Sequence, residues 1–171
     1  MNADELRARQ APLKQLYRDD SSAARIPSRA EGDLVVDEVA CQVRIHKDRV
    51  TKAGLHPAGG GSGEEACSAD MLLEALVGCA GVTLGAVATA MAIPIRGGKV
   101  IAEGVWDARG TLGVDKTVPV GITEIKLTFA IDSDAEAEKI ERMIQLVERY
   151  CVIAQTLVHP PKLSFSHTKI G

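Results

Sequence analysis

Between Ala75 and Ile95 no residue carries a charge, and apolar side chains fall on every face of a helix drawn through the stretch. The pattern predicts one long helix. It starts near Ser68, a side chain suited to the N-cap, and carries Asp70 in a first turn where the helix dipole favours an anion. It stops before Pro94, whose ring removes a donor and disfavours helix in the residue ahead. The stretch is long enough to span a bilayer. Its Ala, Gly and Thr content, with Asp70 and Glu74 just upstream and alternating strands elsewhere, favours instead a soluble core helix buried on every side. Gly78, Ala80, Gly81, Gly85, Ala86 and Ala88 let a neighbour approach its backbone. Glycines in a helix cost about 1 kcal/mol each relative to alanine, so close packing must compensate. The helix is therefore expected at the centre of the fold and as a candidate seam with its own copy across a dimer axis.

Elsewhere the period changes. Val39 to Ile45 alternates apolar residues with Gln42 and Arg44, a strand with one buried face on which Cys41 reads as a small core hydrophobe. Val100, Ala102, Gly104 and Trp106 share one face of a second strand, and Ile125, Leu127, Phe129 and Ile131 one face of a third. "TLGVDKTVPVG" is an irregular connection between them. Ser133 and Glu136 suggest a capping box for another helix, whose stripe of Ile140, Met143, Ile144 and Val147 leads to Cys151. Its charges, Glu138, Glu141, Arg142, Glu148 and Arg149, form a solvated face. "PPKLSFSHT" is expected as a final strand with Leu163 and Phe165 inward. The order predicts an α+β domain over residues 31–171 with mainly antiparallel pairing. Residues 1–30 are an appended helical and linker segment, with Leu6, Leu13 and Leu16 on a weak apolar face that Pro12 interrupts.

Composition narrows the function classes. The chain has 171 residues, a formal net charge of -3 and 3% aromatic residues, which leaves neither a cationic footprint nor stacking platforms for nucleic acid. The polar N-terminus resembles neither a signal nor a transit peptide, so a cytoplasmic location is expected. Cys41, Cys67, Cys79 and Cys151 are scattered without the paired spacing of a zinc module, and no metal is expected. The glycines of "HPAGGGSGEEACS" lack the lysine and Ser/Thr of a phosphate loop and read as a mobile connection, with His56 and Cys67 incidental to it. No nucleophile elbow appears. Taken by themselves, Cys79 and Cys151 read as two buried, inert thiols.

The wording around those two thiols changes that reading. "DMLLEALVGCAGVT", then "RGTLGVDKTVPVGITEIKLTF", then "VERYCVIAQTL" occur in order. Together they resemble the OsmC/Ohr family, the osmotically inducible and organic hydroperoxide resistance proteins, over residues 34–167. The resemblance implies an intertwined homodimer with the long helices at its centre. It implies a peroxidase that reduces organic hydroperoxides in an oxidative stress response, with Cys79 as peroxidatic and Cys151 as resolving cysteine. A disulfide between them would be reduced by an external dithiol such as a lipoyl protein, with no bound cofactor. An arginine held by an acid near the start of the central helix would favour the thiolate. Asp70 stands near that acid's place, while Ser68 and Ala69 occupy the Pro-Glu positions of the peroxidase branches, and Val152 replaces a proline often found after the second cysteine. Arg25 and Arg29 in the linker are the candidates for the cation. Arg44 is a third, although its place on the polar face of a strand reads as solvent-facing. The alternative under the same fold is a non-enzymatic stress protein that binds a small apolar ligand, and a weaker one is a purely structural dimer.

Overall fold

Regular periodicity in the chain becomes regular structure, in a computed structural model that describes residues 1–46 and 49–170. Helix α1 (Ala3–Asp19) is followed by strands β1 (Gly32–Val35), β2 (Ala40–Ile45), β3 (Arg49–Gly54) and β4 (Ala66–Cys67), then by the central helix α2 (Ser68–Ala90). Strand β5 (Gly97–Val105), a single turn α3 (Ala108–Thr111), strand β6 (Glu124–Asp132) and helices α4 (Ala137–Tyr150) and α5 (Val152–Val158) complete the order. The α+β class is as expected.

Two sheets form. The first has the order β1-β2-β3-β4, antiparallel except for the short parallel pairing of β3 with β4. The second is the hairpin β5-β6, antiparallel from Gly97 opposite Asp132 to Val105 opposite Glu124. Its two-residue period turns Val100, Ala102, Ile125, Leu127 and Phe129 onto the face that packs against Leu76, Ala80 and Cys151. A Cβ on Gly104 would stand 3.3 Å from the Leu73 side chain, so that glycine is what lets α2 lie close to β5. A second cluster, Ala88, Ile93 and Met143 with Leu84, Ile131 and Ile140 around it, joins α2 to α4 at the other end. The predicted α4 stripe is the buried one, with Met143 and Val147 at 0% and 1% exposure.

Helix α2 ends by a Schellman arrangement. The N–H of Ile93 donates to the Ala88 carbonyl at 2.9 Å and that of Ala92 to the Thr89 carbonyl at 3.2 Å, with Ala92 in the left-handed region at φ 53°. The helix therefore stops before Pro94, as predicted.

Several expectations are corrected. Helix α1 runs unbroken through Pro12, which deprives one carbonyl of its donor without ending a helix that has no buried residue. Cys67, with extended backbone, holds the N-cap position of α2, and Ser68 is its first helical residue. The Ser133–Glu136 capping box does not form, because the Ser133 hydroxyl donates to the Pro94 carbonyl at 2.6 Å and accepts from the Ala135 N–H; Glu136 is itself the N-cap. Residues 159–170 form no strand, and Leu163 and Phe165 are 75% and 90% exposed, since the segment meets no sheet edge within the chain. Nor is α2 buried on every side: Val82 is 77% exposed, so one chain covers only part of its apolar surface.

Candidate functional site

Helix α2 carries Cys79 at mid-length, between the buried Leu76 and Ala80, on the side that meets β5, β6 and α5. Four residues on, Thr83 donates its hydroxyl proton to the Cys79 carbonyl at 2.8 Å. Cys151 reaches the same place from the far end of the chain. It lies between α4 and α5 with φ -72° and ψ 109°, and this one extended residue separates two helices. Its side chain is fully buried, whereas Cys79 is half-buried. The predicted pair therefore meets in one cluster, where Cys79 packs against the buried group that includes Cys151.

The surroundings treat the two sulfurs oppositely. Burial pushes the Cys79 thiol up, but the backbone N–H of Ile153, the Cys151 thiol and the backbone N–H of Val152 stabilise its thiolate. They outweigh burial, and Cys79 is held below the ordinary value of a thiol. The Thr83 hydroxyl also lies near the sulfur, but its single proton is committed to the carbonyl, so it supports the helix more than the thiolate. Cys151 is pushed up, first by burial and further by the neighbouring Cys79, against the favourable N–H of Ala154. One sulfur is thus ready to ionise and the other to keep its proton. Such a pair can perform nucleophilic attack at one sulfur and condensation at the other.

Alongside lies an open, mainly apolar cavity of about 520 Å³ between β6 and the α4–α5 segment, bounded by Leu76, Ile125, Leu127, Phe129, Val147 and Leu157, with Cys151 on its wall and Glu124 and Glu148 at its margin.

The other predicted residues stand apart from the pair within one chain. Asp70 is exposed in the first turn of α2. At 100° per residue it projects from the opposite face to Cys79, about 13 Å away along the axis. Arg25 is exposed. Arg29 is 84% exposed and pairs with Glu31 at 2.7 Å, and Arg44 bridges Glu31 and Asp33, both at 2.7 Å. Glu31 thus joins two of the candidate arginines in one surface network. Cys41 packs against Gly32, and Cys67 begins α2 beside His56, whose ring meets Trp106 edge-on at 5.3 Å. Val152 and Ile153 escaped the side-chain reading because they contribute backbone groups. The missing proline after Cys151 was the available signal.

Comparison with known proteins bears on the fold and the family. No curated protein sequence matches the chain. Among solved structures, an OsmC-like protein from Mycoplasma pneumoniae is similar with a TM-score of 0.64 at 18% identity, over 79% of this chain and 91% of that one. A hypothetical protein from Aquifex aeolicus aligns with a TM-score of 0.61 at 14% identity, over 80% and 90% of the two chains. An OsmC-like protein of unknown function from Vibrio cholerae gives 0.57 at 13% identity, over 76% and 94%. At such identities the structures establish the fold alone. The model of the OsmC-like protein family matches residues 61–166, the segment that holds α2, both sulfurs and the cavity wall, and the chain belongs to that family.

Proposed function

We propose that the protein is a thiol-dependent peroxidase that reduces organic hydroperoxides to alcohols. The observation that carries this reading is that Cys79 packs into the same cluster as the buried Cys151, an environment that holds the first thiol below its ordinary pKa and the second above it. The Cys79 thiolate attacks the distal oxygen of R–O–OH, the O–O bond breaks, and the departing alkoxide takes a proton to leave as ROH. Cys79 becomes a sulfenic acid. The Cys151 sulfur then displaces hydroxide from it; the thiol proton joins that hydroxide as water, and a Cys79–Cys151 disulfide forms. An external dithiol restores both thiols by exchange and is itself oxidised to a disulfide. The mainly apolar cavity with Cys151 on its wall suits an alkyl tail.

In this reading the protein works as a cytoplasmic homodimer with no bound cofactor. The uncovered apolar surface of α2, including Val82, supports the dimer. Within one chain the thiolate relies on backbone N–H groups and on Cys151. Asp70 with Arg25 or Arg29 tunes it only once the assembly or the N-terminal segment brings them close.

The test is reduction of cumene hydroperoxide with dihydrolipoamide. Cys79→Ser is expected to abolish turnover, and Cys151→Ser to stop it after one oxidation. Peroxide-treated protein is expected to yield a Cys79–Cys151 peptide on mass mapping. Undiminished turnover in Cys79→Ser would remove the mechanism. Absence of that peptide together with binding of an apolar ligand would move the protein to the non-enzymatic reading.

A further inference from the structure

The break at Cys151 redistributes two backbone hydrogen bonds. In an unbroken helix the N–H of Val152 would return to the Glu148 carbonyl and that of Ile153 to the Arg149 carbonyl. The extended ψ of 109° at Cys151 turns both N–H groups away from α4, that of Val152 toward the Cys79 sulfur and that of Ile153 toward both sulfurs, in a cluster against which Cys79 and Ile153 both pack. The Glu148 carbonyl is not left bare: the Gln155 side chain reaches back and donates to it from Nε2 at 2.9 Å. The main chain of Gln155 donates in turn to the Cys151 carbonyl at 2.9 Å. A single residue therefore binds the last turn of α4 through its side chain and the break itself through its backbone.

A proline at 152 would impose such a break unaided, since its ring clashes with the carbonyl four residues back and it has no N–H to return. This chain has valine there, and nothing in Val152 itself prevents α4 from running on. We propose that Gln155 is a positioning residue for the reactive thiol: its side-chain amide takes the carbonyl that Val152 would otherwise reclaim, and so keeps the Val152 N–H on the Cys79 sulfur. The proposal rests on Cys79 as the reactive thiol and deepens that reading. Gln155 does not touch the sulfur and is not a catalytic residue.

The test reads the thiolate directly. Alkylation of Cys79 by iodoacetamide, followed by mass mapping across pH, reports its ionisation whether or not the protein turns over peroxide. Failure of the peroxidase reading therefore leaves this experiment interpretable. Gln155→Met keeps the volume and removes the donor. Alkylation of Cys79 at neutral pH is expected to slow about threefold to tenfold, the scale of losing one hydrogen bond to a partly solvated charged group, with the pH midpoint moving upward.

Val152→Pro supplies the control. It removes one donor but forces the break, so adding Gln155→Met to it is expected to change Cys79 alkylation by less than about 1.5-fold, a non-additive pair. A merely structural Gln155 would act equally in both backgrounds. Equal effects, or an unchanged pH midpoint in Gln155→Met, overturn the proposal. Where Gln155→Met fails to fold, Gln155→Glu, which also lacks a donor when ionised, is read by the same criterion.

Discussion

Leu76→Ala tests whether the pair is held by the packing described. The side chain is 2% exposed and lies between Cys79, Cys151 and the hairpin strands. Removing three carbon atoms forfeits about 2.4 kcal/mol of transfer free energy, at about 0.8 kcal/mol for each. Leu76 also borders the open cavity of about 520 Å³, so the vacated space joins an existing one and the closed-void penalty is small. The total loss is then about 2.5–3.5 kcal/mol, in the lower part of the range for buried leucines. In a chain of this size that corresponds to a melting temperature lowered by about 5–14 °C. Urea unfolding followed by circular dichroism measures the loss through the midpoint, with the slope unchanged. A loss below about 1 kcal/mol would show that Leu76 is not packed as described, and the argument for a structured floor beneath the thiols would fail with it.

Three further outcomes follow from other positions. In one chain nothing lies within 4 Å of a Cβ built on Gly85, so alanine there would stabilise an isolated chain by about 1 kcal/mol. The proposed homodimer predicts the opposite sign with a shift toward monomer in sedimentation, and a stabilised, unchanged assembly would refute the helix seam. Ala92→Gly relieves a left-handed alanine at φ 53° and is expected to raise stability by about 1 kcal/mol in thermal unfolding. Asp107 is held at about 2, below the ordinary carboxyl value of 3.8, chiefly by the Arg109 side chain. Its folded value is depressed, so its contribution is present above 3.8 and fades as pH falls toward 2. In Arg109→Ala the carboxyl NMR titration of Asp107 is expected to move back upward, though not fully, since the backbone N–H at 109 remains.

Strands β5 and β6 were legible because their two-residue period persists over the whole hairpin, and α4 because its stripe is sharply one-sided. The short strands β1, β3 and β4 were not, since Gly32–Val35, Arg49–Gly54 and Ala66–Cys67 are too brief or too weakly alternating to stand out. Capping failed at Ser133 for a tertiary reason: the Pro94 carbonyl, remote in sequence, competes for the same hydroxyl. The final strand failed because pairing depends on a neighbouring edge, which local pattern does not supply. At the site, both sulfurs could be named from their motifs. The groups that separate their acidities are the Val152 main-chain N–H and the thiol–thiol interaction itself, and a backbone donor carries no signature in side-chain chemistry.

The packing of Cys79 and Cys151 in one cluster has a consequence for survival under attack. Under the proposed mechanism a sulfenic acid formed at Cys79 would arise in the same packed cluster as the thiol that captures it. Its lifetime would be set by the condensation step, which would leave little time for a second oxidant molecule to drive the sulfur on to the irreversible sulfinic form. A peroxidase built this way would trade the ability to signal through overoxidation for endurance, and would keep cycling in oxidant bursts that silence enzymes whose resolving thiol must first travel to the site.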